Sequence, residues 1–175
     1  MLKPLNLLLL FLVLSACKTE PQDNAETTEV ETIETETTTV ISETDIAKLN
    51  YIEFDLDSKV EAIVEVWEPY FELSTAIGNF KKADFSFYEK DEKAVSELIK
   101  NMRKTIPDTL DTQGILSRIT IVESMLYKLK ESYNVPNATK EEVGETLKEL
   151  FVSYSNLNFQ LNKKLEKDSQ RIDRP

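Results

Sequence analysis

The 175-residue sequence has no histidine, one cysteine and only three glycines, and each scarcity excludes something. Without histidine, the chain lacks the commonest general acid–base group, the usual ligand of zinc and haem iron, and the base of Ser-His or Cys-His pairs. The single cysteine, Cys17, allows no intramolecular disulfide, so a folded domain must be stabilised by its hydrophobic core. Three glycines and six prolines disfavour an all-β fold, which needs many tight turns.

Motifs that carry catalysis are also missing from the sequence. There is no Gly-rich phosphate-binding loop and no hydrolase nucleophile elbow. The Glu-x-x-His pairs of di-iron bundles and the Cys-x-x-Cys-His motif of c-type haem proteins cannot be formed. An enzyme that uses carboxylates such as Glu61 or Glu123 is the least favoured alternative. We therefore expect a protein that is not an enzyme and that holds no metal or cofactor.

Basic residues are fewer than acidic ones, and the imbalance is concentrated in one part of the chain. The formal net charge is −11, and residues 20–45 contain nine acidic side chains and no basic one. The remainder is only mildly acidic and shows no basic patch that would neutralise phosphates. Binding to nucleic acid is therefore disfavoured.

The first 16 residues have the features of a secretory leader. Lys3 gives a short positive start, and residues 7–14 form an unbroken apolar run. That run is roughly half of the about 20 residues that a transmembrane helix needs, which is the length typical of a signal peptide. Ser15 and Ala16 then supply the small side chains of a cleavage site.

The end of this leader, Leu14-Ser15-Ala16-Cys17, resembles the lipobox of bacterial lipoproteins. The resemblance implies that a signal peptidase removes residues 1–16 by cutting between Ala16 and Cys17. It also implies that Cys17 carries several acyl chains, and more than one chain is what makes such an anchor stable. The alternative is an ordinary secreted protein in which a cysteine falls at this place by chance.

The residues after Cys17 bear on the location of the protein. In the sorting pattern of enteric lipoproteins an aspartate at the next position favours retention in the inner membrane, and this chain has Lys18 instead. The acids Glu20, Asp23 and Glu26 resemble the surface-export signals of Bacteroidota lipoproteins. These resemblances imply an outer-membrane lipoprotein of the bacterial cell envelope, on either its periplasmic or its surface-exposed side.

Residues 17–50 are predicted to be the lipidated N-terminus and a disordered acidic linker. The stretch is dominated by threonine and glutamate, and its few apolar residues follow no sustained period. Such a segment cannot bury enough apolar surface to offset its chain entropy. We expect it to act as a spacer between the membrane and a folded domain, the alternative being a binding site for a cationic partner.

Residues 51–168 are predicted to form a helical bundle. After an extended entry at residues 51–54, apolar residues recur at three- and four-residue spacing over four segments, which cover residues 57–80, 86–104, 112–133 and 139–167. Pro69 should bend or split the first segment near Glu68, and Gly78-Asn79 should end it. Thr139 and Glu142 match the capping box that begins a helix.

The short connections between these segments make neighbouring helices antiparallel. We therefore predict an all-α fold, namely an antiparallel up-down four-helix bundle. The alternative is a three-helix bundle with a broken first helix. Residues 169–175 are predicted to be a frayed tail.

Two features of the helical region are candidate sites. Four aromatic residues cluster at the first interhelical connection, where they either close the end of the core or form a binding edge: Phe80, Phe85, Phe87 and Tyr88. Asp108-Thr109-Leu110 resembles the acceptor sequence for O-glycosylation in Bacteroidota, which implies Thr109 as a modified residue. The alternative is that Asp108 and Thr109 are simply turn residues.

Taken together, these features predict a membrane-anchored envelope lipoprotein whose helical domain is a non-enzymatic protein-interaction module. Its expected contacts are the membrane, through the lipid on Cys17, and another envelope protein, while its oligomeric state stays open. The alternative is a stress-related holdase for unfolded envelope proteins. A holdase should expose an apolar concavity rather than cover all its apolar stripes.

Overall fold

The computed structural model describes residues 41–89 and 91–170. Seven helices make up 71% of these residues and no strand occurs among them, so the prediction of an all-α fold is confirmed. The helices are α1 Glu43–Ile46, α2 Ser58–Val64, α3 Glu68–Lys81, α4 Ser86–Glu89, α5 Ala94–Lys104, α6 Gln113–Asn134 and α7 Lys140–Ser169. The leader, Cys17, the linker up to residue 40 and tail residues 171–175 lie outside the described residues.

The first predicted helix is split into α2 and α3, as Pro69 indicated. Pro69 lies in the first turn of α3, where its missing N–H needs no helical partner. The expected stop at Gly78-Asn79 is wrong, because α3 continues through both residues to Lys81. The chain reverses at Ala83 instead, which has a left-handed φ of 60°.

The second predicted helix is also interrupted, which its apolar spacing did not indicate. The break between α4 and α5 contains Asp91, whose carboxylate accepts the Lys93 N–H at 2.8 Å. This local hydrogen bond offers the backbone an alternative to the helical one. The helix resumes at Ala94, whose N–H donates to the Asp91 carbonyl at 3.1 Å.

The last two helices begin at capping residues. The Thr112 hydroxyl accepts the Ile115 N–H at the start of α6. The capping box at α7 is confirmed, since Thr139 N–H donates to the Glu142 carboxylate at 2.9 Å and Glu142 N–H donates to the Thr139 hydroxyl at 3.2 Å. From there α7 runs for 30 residues, which corresponds to about 45 Å.

Successive long helices pack against one another in antiparallel pairs. Trp67 at the start of α3 donates its indole N–H to the Met102 carbonyl near the end of α5, at 3.3 Å. Helix α6 contacts α7 with Gly114 beside Gln160 and with Lys128 bonded to Glu149, so the two helices run in opposite directions. These pairs agree with the antiparallel packing expected from the short connections. No helix in the described ranges is both long and apolar enough to cross a membrane.

The folded region begins earlier than the predicted start at residue 51, because Ile41 is already part of it. Residues 41–50 had been assigned to the linker, yet they contain α1, and Ile41 and Ile46 are buried. A Cβ placed on Gly144 of α7 would lie 3.5 Å from Ile41 Cδ1, an ordinary van der Waals distance, so Ile41 packs directly on α7 at this residue. Ser42 caps α1 in a reciprocal capping box. The assignment was wrong because a few apolar residues in an acidic stretch do not show their distant packing partner.

Candidate functional site

The segment between α1 and α2 is held against α7 by polar side chains. We call residues 51–57 the strap; it has no regular secondary structure. The Ser155 hydroxyl accepts the Phe54 N–H at 2.7 Å and donates to the Ile52 carbonyl at 3.0 Å. Asn158, one turn further along α7, donates its amide N–H to the Phe54 carbonyl at 3.0 Å. A backbone without strand or helix partners is thereby satisfied by side chains.

Asn162 continues this attachment toward the start of α2. Its amide group donates to the Asp55 carbonyl at 2.8 Å, and its side-chain oxygen accepts the Asp57 N–H at 2.9 Å. Asp57 occupies the cap position of α2, but its side chain makes no capping hydrogen bond. The strap is therefore positioned by α7 rather than by local capping.

The buried end of this attachment joins α3, α7 and the strap. Tyr70 donates its hydroxyl to Asn158 Oδ1 at 2.8 Å and lies 3.1 Å from the Tyr154 hydroxyl. Burial, with a smaller effect of Tyr154, raises the pKa of Tyr70 far above its ordinary value, so the phenol stays neutral. Because Asn158 also donates to the strap, both ends of its amide are used.

An open groove lies between the strap, α2 and α3. We call it the α2–α3 groove; its volume is about 910 Å³. Its apolar lining comes from all three elements and includes Leu56, Ala62, Val64, Phe71, Ile77 and Gly78. The Phe71 side chain is 48% exposed. A Cβ on Gly78 would meet no atom within 4 Å, so the space above this glycine is empty.

Carboxylates from two sides surround this apolar lining. Glu53 and Asp55 come from the strap, and Glu61 and Glu65 come from α2 and its C-terminal end. The one ammonium group of the lining, on Lys81, is bonded to Glu53. Such a surplus of one charge sign in a concave surface attracts ligands of the opposite sign.

Lys81 stays protonated in its pair with Glu53, and the other carboxylates of the groove are left without a counterion. Partial burial alone would lower the pKa of Lys81, but the hydrogen bond to Glu53 and the proximity of Tyr51 and Glu53 raise it above its ordinary value. Among the described residues, Asp55, Glu61 and Glu65 form no ion pair. The groove therefore keeps an excess of negative charge.

The arrangement of Glu61 and Glu65 is unfavourable for α2 itself. They lie four residues apart on one helix face, where like charges cost a few tenths of a kcal/mol. Glu65 is also the C-cap residue, next to the negative end of the helix dipole. Neither side chain makes a hydrogen bond or ion pair that the fold requires.

The aromatic cluster is part of the core. Phe80, Phe85, Phe87 and Tyr88 are between 0% and 8% exposed, and the Tyr88 hydroxyl donates to the Leu126 carbonyl at 2.9 Å. Phe80 stacks on Tyr88 with ring centroids 5.3 Å apart. The interpretation of these side chains as a binding edge is therefore wrong, because they are covered by one another and by α6.

The remaining predicted residues lie apart from one another. Thr109 is exposed in the turn between α5 and α6, beside the fully buried Leu110. Glu61 lines the groove, whereas Glu123 pairs with Arg103 of α5 at 3.3 Å. The two carboxylates therefore do not converge on one site. In the described part of the chain, no group of three acidic side chains is placed to hold a metal ion.

Sequence reasoning missed the polar residues that build the site. Ser155, Asn158 and Asn162 recur at three- and four-residue spacing beside the apolar face of α7, and this periodicity was the available signal.

The α2–α3 groove combines an apolar lining with unpaired carboxylates, a combination suited to holding a cationic, partly apolar ligand. No protein-family model matches the sequence, and neither a curated protein nor a solved structure gives a match.

Proposed function

We propose that this protein is a lipid-anchored lipoprotein of the bacterial cell envelope whose helical domain binds a partner protein and catalyses no reaction. The observation that carries the binding role is the α2–α3 groove. Its volume of about 910 Å³ lies in the range of ligand sites, about 300–1,000 Å³. The groove is open to solvent and bordered by the half-exposed Phe71 and the empty space at Gly78.

The anchor is proposed from the lipobox Leu14-Ser15-Ala16-Cys17. In this proposal acyl chains on Cys17 hold the protein on the outer membrane, and the acidic linker separates the groove from the lipid. Because the folded region starts by Ile41, the spacer is shorter than the sequence suggested.

The character of the groove favours a specific partner over unfolded clients. A holdase needs a broad apolar concavity, because unfolded chains share exposed apolar surface rather than a charge pattern. Here the apolar floor is bordered by carboxylates from α2 and the strap, which penalise a purely apolar occupant. We therefore propose that the helical domain binds one specific protein partner.

Two substitutions at Gly78 test the binding site. A leucine would extend into the empty space and obstruct the groove, whereas an alanine adds one methyl group that meets no atom within 4 Å. Both remove a glycine from the interior of α3 and should not lower stability. In affinity capture from envelope fractions, the partner should be lost with Gly78→Leu and kept with Gly78→Ala. Equal capture by both variants would exclude the groove as the site.

The anchor is tested separately with Cys17→Ser. This variant should incorporate no labelled fatty acid and should leave the membrane fraction. The Gly78→Ala protein serves as the lipidated control, since its leader is unchanged. Fatty-acid labelling of Cys17→Ser would contradict the lipoprotein assignment, whatever the outcome at the groove.

A further inference from the structure

We propose that the occupant of the α2–α3 groove is a basic polypeptide segment in which lysine or arginine flanks at least one large apolar side chain. The inference rests on the proposed function, because it names the chemistry of the ligand at the same site. It is carried by the charge of the groove together with its shape. Charge selects a cationic ligand, and shape selects one that also has an apolar group.

The lining of the groove carries four carboxylates and one ammonium group. Lys81 is bonded to Glu53, so Asp55, Glu61 and Glu65 remain to meet a ligand. They come from two elements, Asp55 from the strap and the two glutamates from one face of α2 and its C-terminal end. A segment that lies in the groove can therefore place cations against carboxylates at more than one point along its length.

The apolar lining of the groove leaves room for a side chain of the ligand. Phe71 presents almost half of its side chain to solvent, and the space above Gly78 is unoccupied. A leucine-sized side chain of a ligand placed there would be removed from water, and its burial would favour binding. The ring of Phe71 also offers a face to a lysine or arginine next to that side chain.

The two glutamates of α2 have no structural role that explains their placement. Glu61 and Glu65 repel each other across one helical turn, and Glu65 lies at the unfavourable end of the helix dipole. Neutralising both should leave the stability of the fold unchanged or slightly raised. A loss of binding in such a variant therefore separates a role in recognition from a role in folding.

Other ligand classes fit the groove less well. Nucleic acids and acidic peptides would be repelled by the unpaired carboxylates. A metal ion lacks a convergent set of ligands, because no three acidic side chains in the described ranges are grouped to hold one. An apolar peptide would bury charged groups without partners. A basic segment with apolar side chains matches both the unpaired carboxylates and the apolar lining of the groove.

The test measures binding of labelled peptides to the full-length lipidated protein in detergent, with empty micelles as the blank. The basic probe is a short peptide in which lysines flank each leucine; serine or glutamate replaces lysine in the neutral and acidic probes. We expect the basic probe to bind best and its affinity to fall as salt is added. In the Glu61→Gln/Glu65→Gln variant its affinity should fall about tenfold, as for the loss of two exposed ion pairs.

A matched control is available on α7. Glu141→Gln/Glu145→Gln removes two exposed carboxylates at the same four-residue spacing, away from the groove, and should leave the affinity unchanged. If the two double variants weaken binding of the basic probe equally, the effect comes from the net charge of the protein and not from the groove, and the inference is overturned. Equal binding of the neutral and basic probes, or competition by free spermidine as strong as that by the basic peptide, would overturn it as well.

The failures of the two proposals are distinguishable. If the neutral probe binds as well as the basic one and Gly78→Leu abolishes both, the groove is a protein-binding site of a different specificity, and only the inference on charge fails. If no probe binds, the inference fails as well. If Gly78→Leu leaves binding of the probe and capture of the envelope partner intact, the groove is not the site and the proposed function fails too.

Discussion

Asn158 is the residue on which the attachment of the strap depends most, and its replacement by alanine gives a large, calculable effect. The substitution removes the hydrogen bond to the Phe54 carbonyl and the one from the Tyr70 hydroxyl. Losing each bond costs about 1–2 kcal/mol, because the net value of about 1 kcal/mol rises where a buried partner is left unsatisfied. Asn158 is only 5% exposed, so water cannot readily replace it. We expect a loss of about 2–4 kcal/mol in the free energy of unfolding.

The matched comparison is Asn162→Ala. This substitution also deletes an asparagine with two hydrogen bonds to the strap, but those bonds are exposed and water can take their place. It should therefore cost about 1 kcal/mol or less. Urea unfolding of both variants with linear extrapolation measures the difference. Equal costs, or a smaller cost at Asn158, would refute the argument that burial gives this hydrogen-bond network its weight.

Hydrogen exchange can show whether the strap detaches locally. The Phe54 N–H donates to Ser155 Oγ and is protected only while the strap lies on α7. In Asn158→Ala this amide should exchange faster than the amides of the α6 and α7 interior. Tyr70→Phe removes the hydroxyl that bonds both Asn158 and Tyr154. The double variant Tyr70→Phe/Asn158→Ala should therefore lose less stability than the sum of the two single variants.

Three further predictions concern stability. Gly78→Ala should raise the free energy of unfolding by about 1 kcal/mol, measured in urea, because it replaces a glycine inside α3 and the new methyl group meets no neighbour; a loss would show that the backbone there needs glycine. Ile46→Ala should lower the free energy of unfolding by about 2–4 kcal/mol, since Ile46 is buried in the core. No change would show that residues 41–50 do not stabilise the fold. The hydrogen bonds from the Ser42 hydroxyl and backbone N–H lower the pKa of Asp45 from 3.8 to about 2. Its contribution to stability is therefore complete above about pH 4 and lost as the pH falls toward 2, so the stability difference between the wild type and Asp45→Asn should shrink over that range.

The elements that were predicted well are those set by local signals. The capping box at Thr139, the seam of α7 and the break before Pro69 each depend on residues within one or two turns. Their physical causes are visible in the sequence, and the structure has them where they were expected. The bend at Asp91 is also local, but several charged residues around it obscured the turn formed by its side chain.

The strap and the groove were not predictable in this way. Ser155 and Phe54 are 101 residues apart in the chain, so nothing near either residue indicates their hydrogen bond. The same holds for Ile41, which packs on α7 at Gly144, far away in the chain. A groove is the space that three separate elements leave unfilled between them. The periodic spacing of apolar residues indicates only which face of each single element is buried.

The central claim is that the α2–α3 groove binds a partner protein in the cell envelope. A photo-reactive amino acid at Ala62, an exposed position in the groove, tests it most directly in intact cells; Ser117, exposed on α6 outside the groove, is the control position. We predict a discrete crosslinked product from Ala62 that contains a basic segment of another protein, and none from Ser117. No product from Ala62, or the same product from both positions, would contradict the account.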